Sequence, residues 1–179
     1  MRGLWQRFEG VDSNAAATEE LYGYWQAYGG LAAIIKSPAV WFSLIFTTVC
    51  YPAWHEGKWP DATLSALPSL LGFSLGAMGI ILAFPSSPLF KLFSERGRTD
   101  SYYLDLASRF VHFIFVQVIA LLFALVGKSY NIQAINFIGF FFLVYAISSA
   151  AFAALSLFGV AQVHNHPNTQ KYLEKNKDD

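Results

Sequence analysis

Residues 135–163 read INFIGFFFLVYAISSAAFAALSLFGVAQV, an apolar run with no Asp, Glu, Lys or Arg in it. At a rise of about 1.5 Å per residue, roughly 20 such residues cross a hydrocarbon core of ~30 Å. The run therefore predicts a membrane-spanning helix with length to spare. Three further apolar runs lie upstream, at 38–54, 64–84 and 106–127. Together they predict an all-α integral membrane protein with four transmembrane helices. The expected organisation is an N-terminal cytoplasmic and interfacial segment (1–37), a transmembrane domain (38–163) and a cytoplasmic tail (164–179).

The composition agrees. Hydrophobic residues make up 55% of the 179 and charged residues 13%, against about 25% charged in an average soluble domain. Seventeen Phe, nine Tyr and five Trp suit lipid contact and interfacial aromatic belts. The segment before Pro38 is too short to build a soluble core, which argues against an anchored enzyme domain. Cys50 is the sole cysteine, so no intrachain disulfide forms, and within an apolar span it reads as a small hydrophobe. A basic start (Arg2, Arg7) followed by polar and acidic residues does not resemble a secretory signal.

Charge asymmetry sets the expected orientation. With the N-terminus in the cytoplasm, ten Lys and Arg fall on the cytoplasmic side and two, Lys58 and Lys128, fall outside. That is the positive-inside pattern of a multi-pass membrane protein with both termini cytoplasmic. Ten acidic residues share the inner side, and only Glu56 and Asp61 lie outside. Near-neutrality of the inner face argues against nucleic acid as a partner.

Local signals punctuate the chain. Asp12, Ser13 and Asn14 form a helix-start cluster. From about Ala15 to Ile35, Leu21, Trp25, Tyr28, Ala32 and Ile35 share one helical face, as in a helix lying in the inner interface. Gly29-Gly30 is placed to break it. Ser37-Pro38 reads as N-cap and first residue of the first span, and Trp54 and Trp59 mark the outer interface. The second span holds Gly72, Gly76 and Gly79. Small residues at this spacing form a groove that lets another backbone approach, in the same chain or in a second copy. Pro68 sits in what reads as the first turns of that span. Pro85-Ser86-Ser87-Pro88 opens a second interfacial helix, in which Leu89, Phe90 and Phe93 interleave with Lys91. The third helix is expected from near Asp100 to Gly127, which reads as its C-terminal stop. The fourth carries a small-residue surface (Ala146, Ser149, Ala150, Ala153, Ala154, Ser156).

Polar residues in the spans are few. Asp105, Arg109 and His112 share one helix face through spacings of four and three. They form either a polar mouth or coupling site, or an interfacial salt bridge with a snorkelling Arg; the second is the commoner arrangement. Gln117 lies deeper on another face, suited to an interhelical hydrogen bond. His164 and His166 are too few for a metal site without further ligands. Ser148, Ser149 and Ser156 are read as interhelical serines rather than a hydrolase nucleophile. No phosphate loop, dinucleotide fingerprint or metalloprotease motif is present, and no charge stands at mid-depth of a span, as ion-coupled transporters require. No cofactor or metal is expected.

Two functions remain. One is a non-catalytic, homo-oligomeric subunit that anchors or senses at the membrane and engages a cytosolic protein through Leu89, Phe90, Lys91 and Phe93. The other is an oligomeric channel or membrane-disrupting pore lined by Ser side chains, Thr47, Thr48 and Gln117. In size, span number and inward tails, the chain resembles the compact four-helix membrane subunits that accompany cytosolic effectors in bacterial anti-phage operons, such as that of Kiwa. The resemblance implies a role in antiviral defence and a place in the bacterial inner (plasma) membrane, and transfers no site residues.

Overall fold

The structure, a computed structural model, describes residues 13–83 and 102–164. These form seven helices in chain order: α1 (Ser13–Tyr28), α2 (Gly30–Lys36), α3 (Pro38–Val49), α4 (Tyr51–His55), α5 (Trp59–Ala83), α6 (Tyr102–Ser129) and α7 (Gln133–His164). No strand occurs among the described residues. The connection expected to hold Leu89, Phe90, Lys91 and Phe93, and His166 with the tail, lie outside them.

Windows within α5, α6 and α7 (Trp59–Gly79, Leu104–Ser129 and Gln133–Ser156) are long and apolar enough to cross a membrane. The region expected to hold the first span is not one straight helix. α3 has only 12 residues, about 18 Å of rise, and meets α2 at a 53° bend; the pair together has the length and polarity of a span. Ser37 causes the break. Its backbone is extended (φ −67°, ψ 124°), as the Cδ of a following proline demands. The Trp41 indole N–H donates to the Ile35 carbonyl across the bend (2.8 Å). At the far end, the apolar run expected to continue to Trp54 stops at Cys50, before the short α4 with Pro52 at its start. Trp54 reaches back over this break, its Nε1 donating to the Thr47 carbonyl (2.9 Å).

Gly29 (φ 92°) and Gly30 (φ 64°) separate α1 from α2 in the left-handed region that glycine tolerates. α1 is not separate from the bundle. It packs against α6, with the Tyr24 and Phe115 rings 5.5 Å apart. Two expected boundaries also move. α5 begins at Trp59, so Pro68 lies inside the helix rather than in its first turns. α6 runs through Gly127 to Ser129, so Gly127 is not a stop.

The bundle packs α6 against α7, with α5 on the other flank of α6 and α3 on α7. Close approach depends on small residues: Ala120, Ala124 and Ala146 are wholly buried, and Ala153 nearly so. Leu67, Val116 and Tyr145 fill the centre between them. The connections around Gly57 and Asn131 meet at one end, where Lys128 pairs with Asp61 (2.8 Å) and Gln133 bonds His55 (3.1 Å). Lys36 and Arg109 line a cavity at the other end. Along α6, the 19 residue steps from Arg109 to Lys128 rise roughly 28 Å, close to the thickness of a hydrocarbon core. The protein is a multi-pass membrane protein, with Arg109 and the Lys128–Asp61 pair at opposite ends of the bundle.

Candidate functional site

Of the three residues that share a face on α6, two pair and one turns inward. Asp105 and Arg109 form an i,i+4 ion pair (Nε–Oδ2 3.0 Å) with both side chains about half exposed. Such a pair contributes roughly 0.3–0.5 kcal/mol. His112, one turn deeper, is buried. Its Nδ1 lies 2.9 Å from the Tyr24 hydroxyl and its Nε2 lies 2.6 Å from the Tyr145 hydroxyl. With one N–H on the ring, one phenol donates to it and the other accepts. Tyr28 stacks on the imidazole, centroids 4.1 Å apart and planes 18° from parallel. The histidine thereby fastens α1 to α6 and α7. Burial, and then the neighbouring Tyr28, push the Tyr24 hydroxyl up to about 12, so it stays a phenol, able to donate, at physiological pH.

The two sides of this cage are open. On one side lies a cavity of about 210 Å³, whose wall includes Lys36, Ser37, Arg109, His112, Tyr145 and Ser156. On the other lies a broad apolar groove of about 540 Å³, lined among others by Leu21, Tyr22, Trp25, Phe115, Ile119 and Phe142. His112 and Tyr145 belong to both walls. So Arg109 and His112 share a cavity, as their spacing suggested, while Asp105 holds Arg109 from outside it.

Other polar side chains tie helices together. Gln117 faces α5, with Nε2 donating to the Ser74 hydroxyl (3.0 Å), an interhelical bond of about 1 kcal/mol. Its Oε1 is buried without a partner, as is the Thr47 hydroxyl. Ser43 of α3 donates to Ser148 of α7 (3.3 Å). Thr47 and Gln117 are both wholly buried and Thr48 is exposed, its hydroxyl bonding the Ile45 carbonyl (2.7 Å). These residues do not share a lumen within the chain.

The glycines divide into two sets. At Gly72, Gly76 and Gly79 an added Cβ would meet nothing within 4 Å among the described residues, so none of those residues covers this face. The close approaches fall at Gly127 and Gly139 instead, where an added Cβ would stand 2.9 Å and 2.6 Å from Cζ2 of Trp59. Trp59, expected as an interfacial marker, is buried, and its Nε1 donates to Oδ1 of the buried Asn136 (3.1 Å). Nδ2 of Asn136 in turn donates to Asn131 (2.8 Å).

No group of three or more His, Cys, Asp or Glu suited to a metal occurs among the described residues. No protein-family model matches the chain, and no curated protein or solved structure is significantly similar to it.

Proposed function

We propose that this chain is a non-catalytic, self-associating membrane subunit that anchors or senses at the bacterial inner membrane, with both termini in the cytoplasm, and engages a cytosolic protein. The observation that carries the self-association is the imbalance of the bundle. Only 17% of the Trp59–Gly79 window is buried, against 44% of the windows in α6 and α7. Its open side presents Gly72, Phe73, Leu75, Gly76 and Gly79, with Phe73 75% exposed. In lipid, exposed apolar surface is itself no reason to associate; a backbone bared by glycines is, because it permits close van der Waals contact. The cytosolic contact is assigned to 85–100, where Leu89, Phe90 and Phe93 supply apolar surface and Lys91 charge. A place in anti-phage defence follows the architectural resemblance and belongs to this proposal.

Two experiments test it. Co-purification after mild solubilisation should recover the chain as a homo-oligomer with a cytosolic protein in fixed proportion. Proteoliposomes containing the chain alone should be no leakier to ions than empty ones. A monomeric chain that conducts ions would replace this reading with the pore.

A further inference from the structure

We propose that the polar cavity and the apolar groove form one site for a single anionic phospholipid, with the phosphate at Lys36 and Arg109 and an acyl chain along the groove. The proposal goes beyond self-association and needs no cytosolic protein. Of the four Lys and Arg side chains among the described residues, Lys58, Arg109 and Lys128 each make an ion pair and Lys36 makes none. Lys36 is exposed at the end of α2 and lines the cavity together with Arg109. Asp105 takes only the Nε of Arg109, which leaves the terminal nitrogens for another acceptor. The first turn of α3 lines the same cavity, and the Ser37 side chain does not cap it. Counting Asp105, the mouth carries one net positive charge and suits an anion.

Depth and polarity select the rest of the ligand. Arg109 stands at the boundary of the apolar part of α6. Ile119 in the groove lies ten residues farther, about 15 Å deeper. A molecule anchored at Arg109 and reaching Ile119 is charged at one end and aliphatic for most of its length. The groove offers such a chain Leu21, Trp25, Phe115 and Ile119. A free phosphate ion would use the mouth and leave the groove empty. His112 and Tyr145 line both the cavity and the groove, so a lipid would run past their side chains from headgroup to acyl chain.

The test uses the full chain, delipidated in a nonionic detergent and titrated with dioleoyl phosphatidylglycerol, dioleoyl phosphatidylcholine and inorganic phosphate, with bound species counted by native mass spectrometry. One phosphatidylglycerol per chain is expected, favoured over phosphatidylcholine by roughly tenfold or more, with inorganic phosphate a poor competitor. Lys36→Gln and Arg109→Gln should each weaken phosphatidylglycerol about fivefold, Lys36→Arg should retain it, and Ile119→Trp, which fills the groove, should weaken both lipids. As a check that needs no variant, a phosphatidylglycerol with a photoreactive acyl chain should label the peptides around Leu21–Trp25 and Phe115–Ile119. Equal retention of the two lipids, an unchanged affinity in the double Gln variant, or labelling confined to other helices would overturn the proposal. Displacement by inorganic phosphate with no effect of Ile119→Trp would assign the cavity to a soluble anion and overturn it equally.

Discussion

The indole of Trp59 occupies the space that a side chain at Gly139 would need, and its Nε1 donates to Asn136 one turn earlier on the same helix. The start of α5 is thereby keyed into α7, and Gly127 of α6 yields to the same ring. This contact holds three helices together at the end of the bundle opposite Lys36.

Gly139→Ala should therefore destabilise the chain. A methyl group would clash with a buried ring that is fixed by a hydrogen bond. Overpacking of this kind costs about 1–3 kcal/mol, and thermal unfolding in detergent should fall accordingly. Gly76→Leu is the contrasting variant. It should leave the monomer's thermal stability within about 0.5 kcal/mol, since nothing among the described residues fills that side, and should weaken self-association. A large loss of monomer stability in Gly76→Leu would show that the face is packed within the chain.

The Gln117–Ser74 contact predicts a non-additive pair. Ser74→Ala removes the acceptor and leaves a buried amide donor as well as the already unpaired Oε1, a loss of about 1–3 kcal/mol. Adding Gln117→Leu removes the amide altogether and should restore much of that stability. Thermal melts of the two single variants and the double variant read the cycle. Simple additivity would mean that the two side chains do not act as a pair.

The cage predicts that His112→Phe loosens α1 specifically. Both phenol hydroxyls lose their ring partner, and Tyr24 loses the bond that ties α1 to α6. Hydrogen exchange over Ser13–Tyr28 should rise, while α7 around Ala146 stays protected. Equal protection of α1 in wild type and variant would show that aromatic packing alone holds it.

Both orientation and cytosolic binding are open to direct tests. In a Cys50→Ala background, an impermeant thiol reagent applied to intact cells should label Lys58→Cys and not Asp179→Cys. In the proposed orientation the inner side carries ten basic and ten acidic residues, so binding of a cytosolic protein should depend weakly on salt. It should be lost when Leu89, Phe90 and Phe93 are replaced by Ser. Loss of binding between low and moderate ionic strength would contradict the apolar contact.

Sequence made three of the four expected spans legible because lipid demands apolar length. The bends at Gly29 and Ser37 follow from glycine and proline, and they leave α2 and α3 as a bent pair where one straight span was expected. Trp59 shows where that reading ends. A tryptophan at a span's edge fits an interfacial belt, and only the positions of Gly127, Gly139 and Asn136 in space reveal that it is buried. The GxxxG spacing likewise pointed at Gly72 and Gly76 for close contact, because spacing records permissiveness rather than which backbone arrives. His112 was visible as a polar group needing partners. Tyr24, 88 residues before it, Tyr145, 33 residues after it, and Tyr28 come together around it only through tertiary packing.

The central claim, self-association of a membrane subunit through its glycine-bearing face, is tested most directly by the native mass of the chain released from lipid nanodiscs. A chain of 19.9 kDa should appear as an integer multiple of that mass, shifting to monomer in Gly76→Leu. A wild-type chain found only at the monomer mass, at concentrations matching its membrane density, would contradict the account.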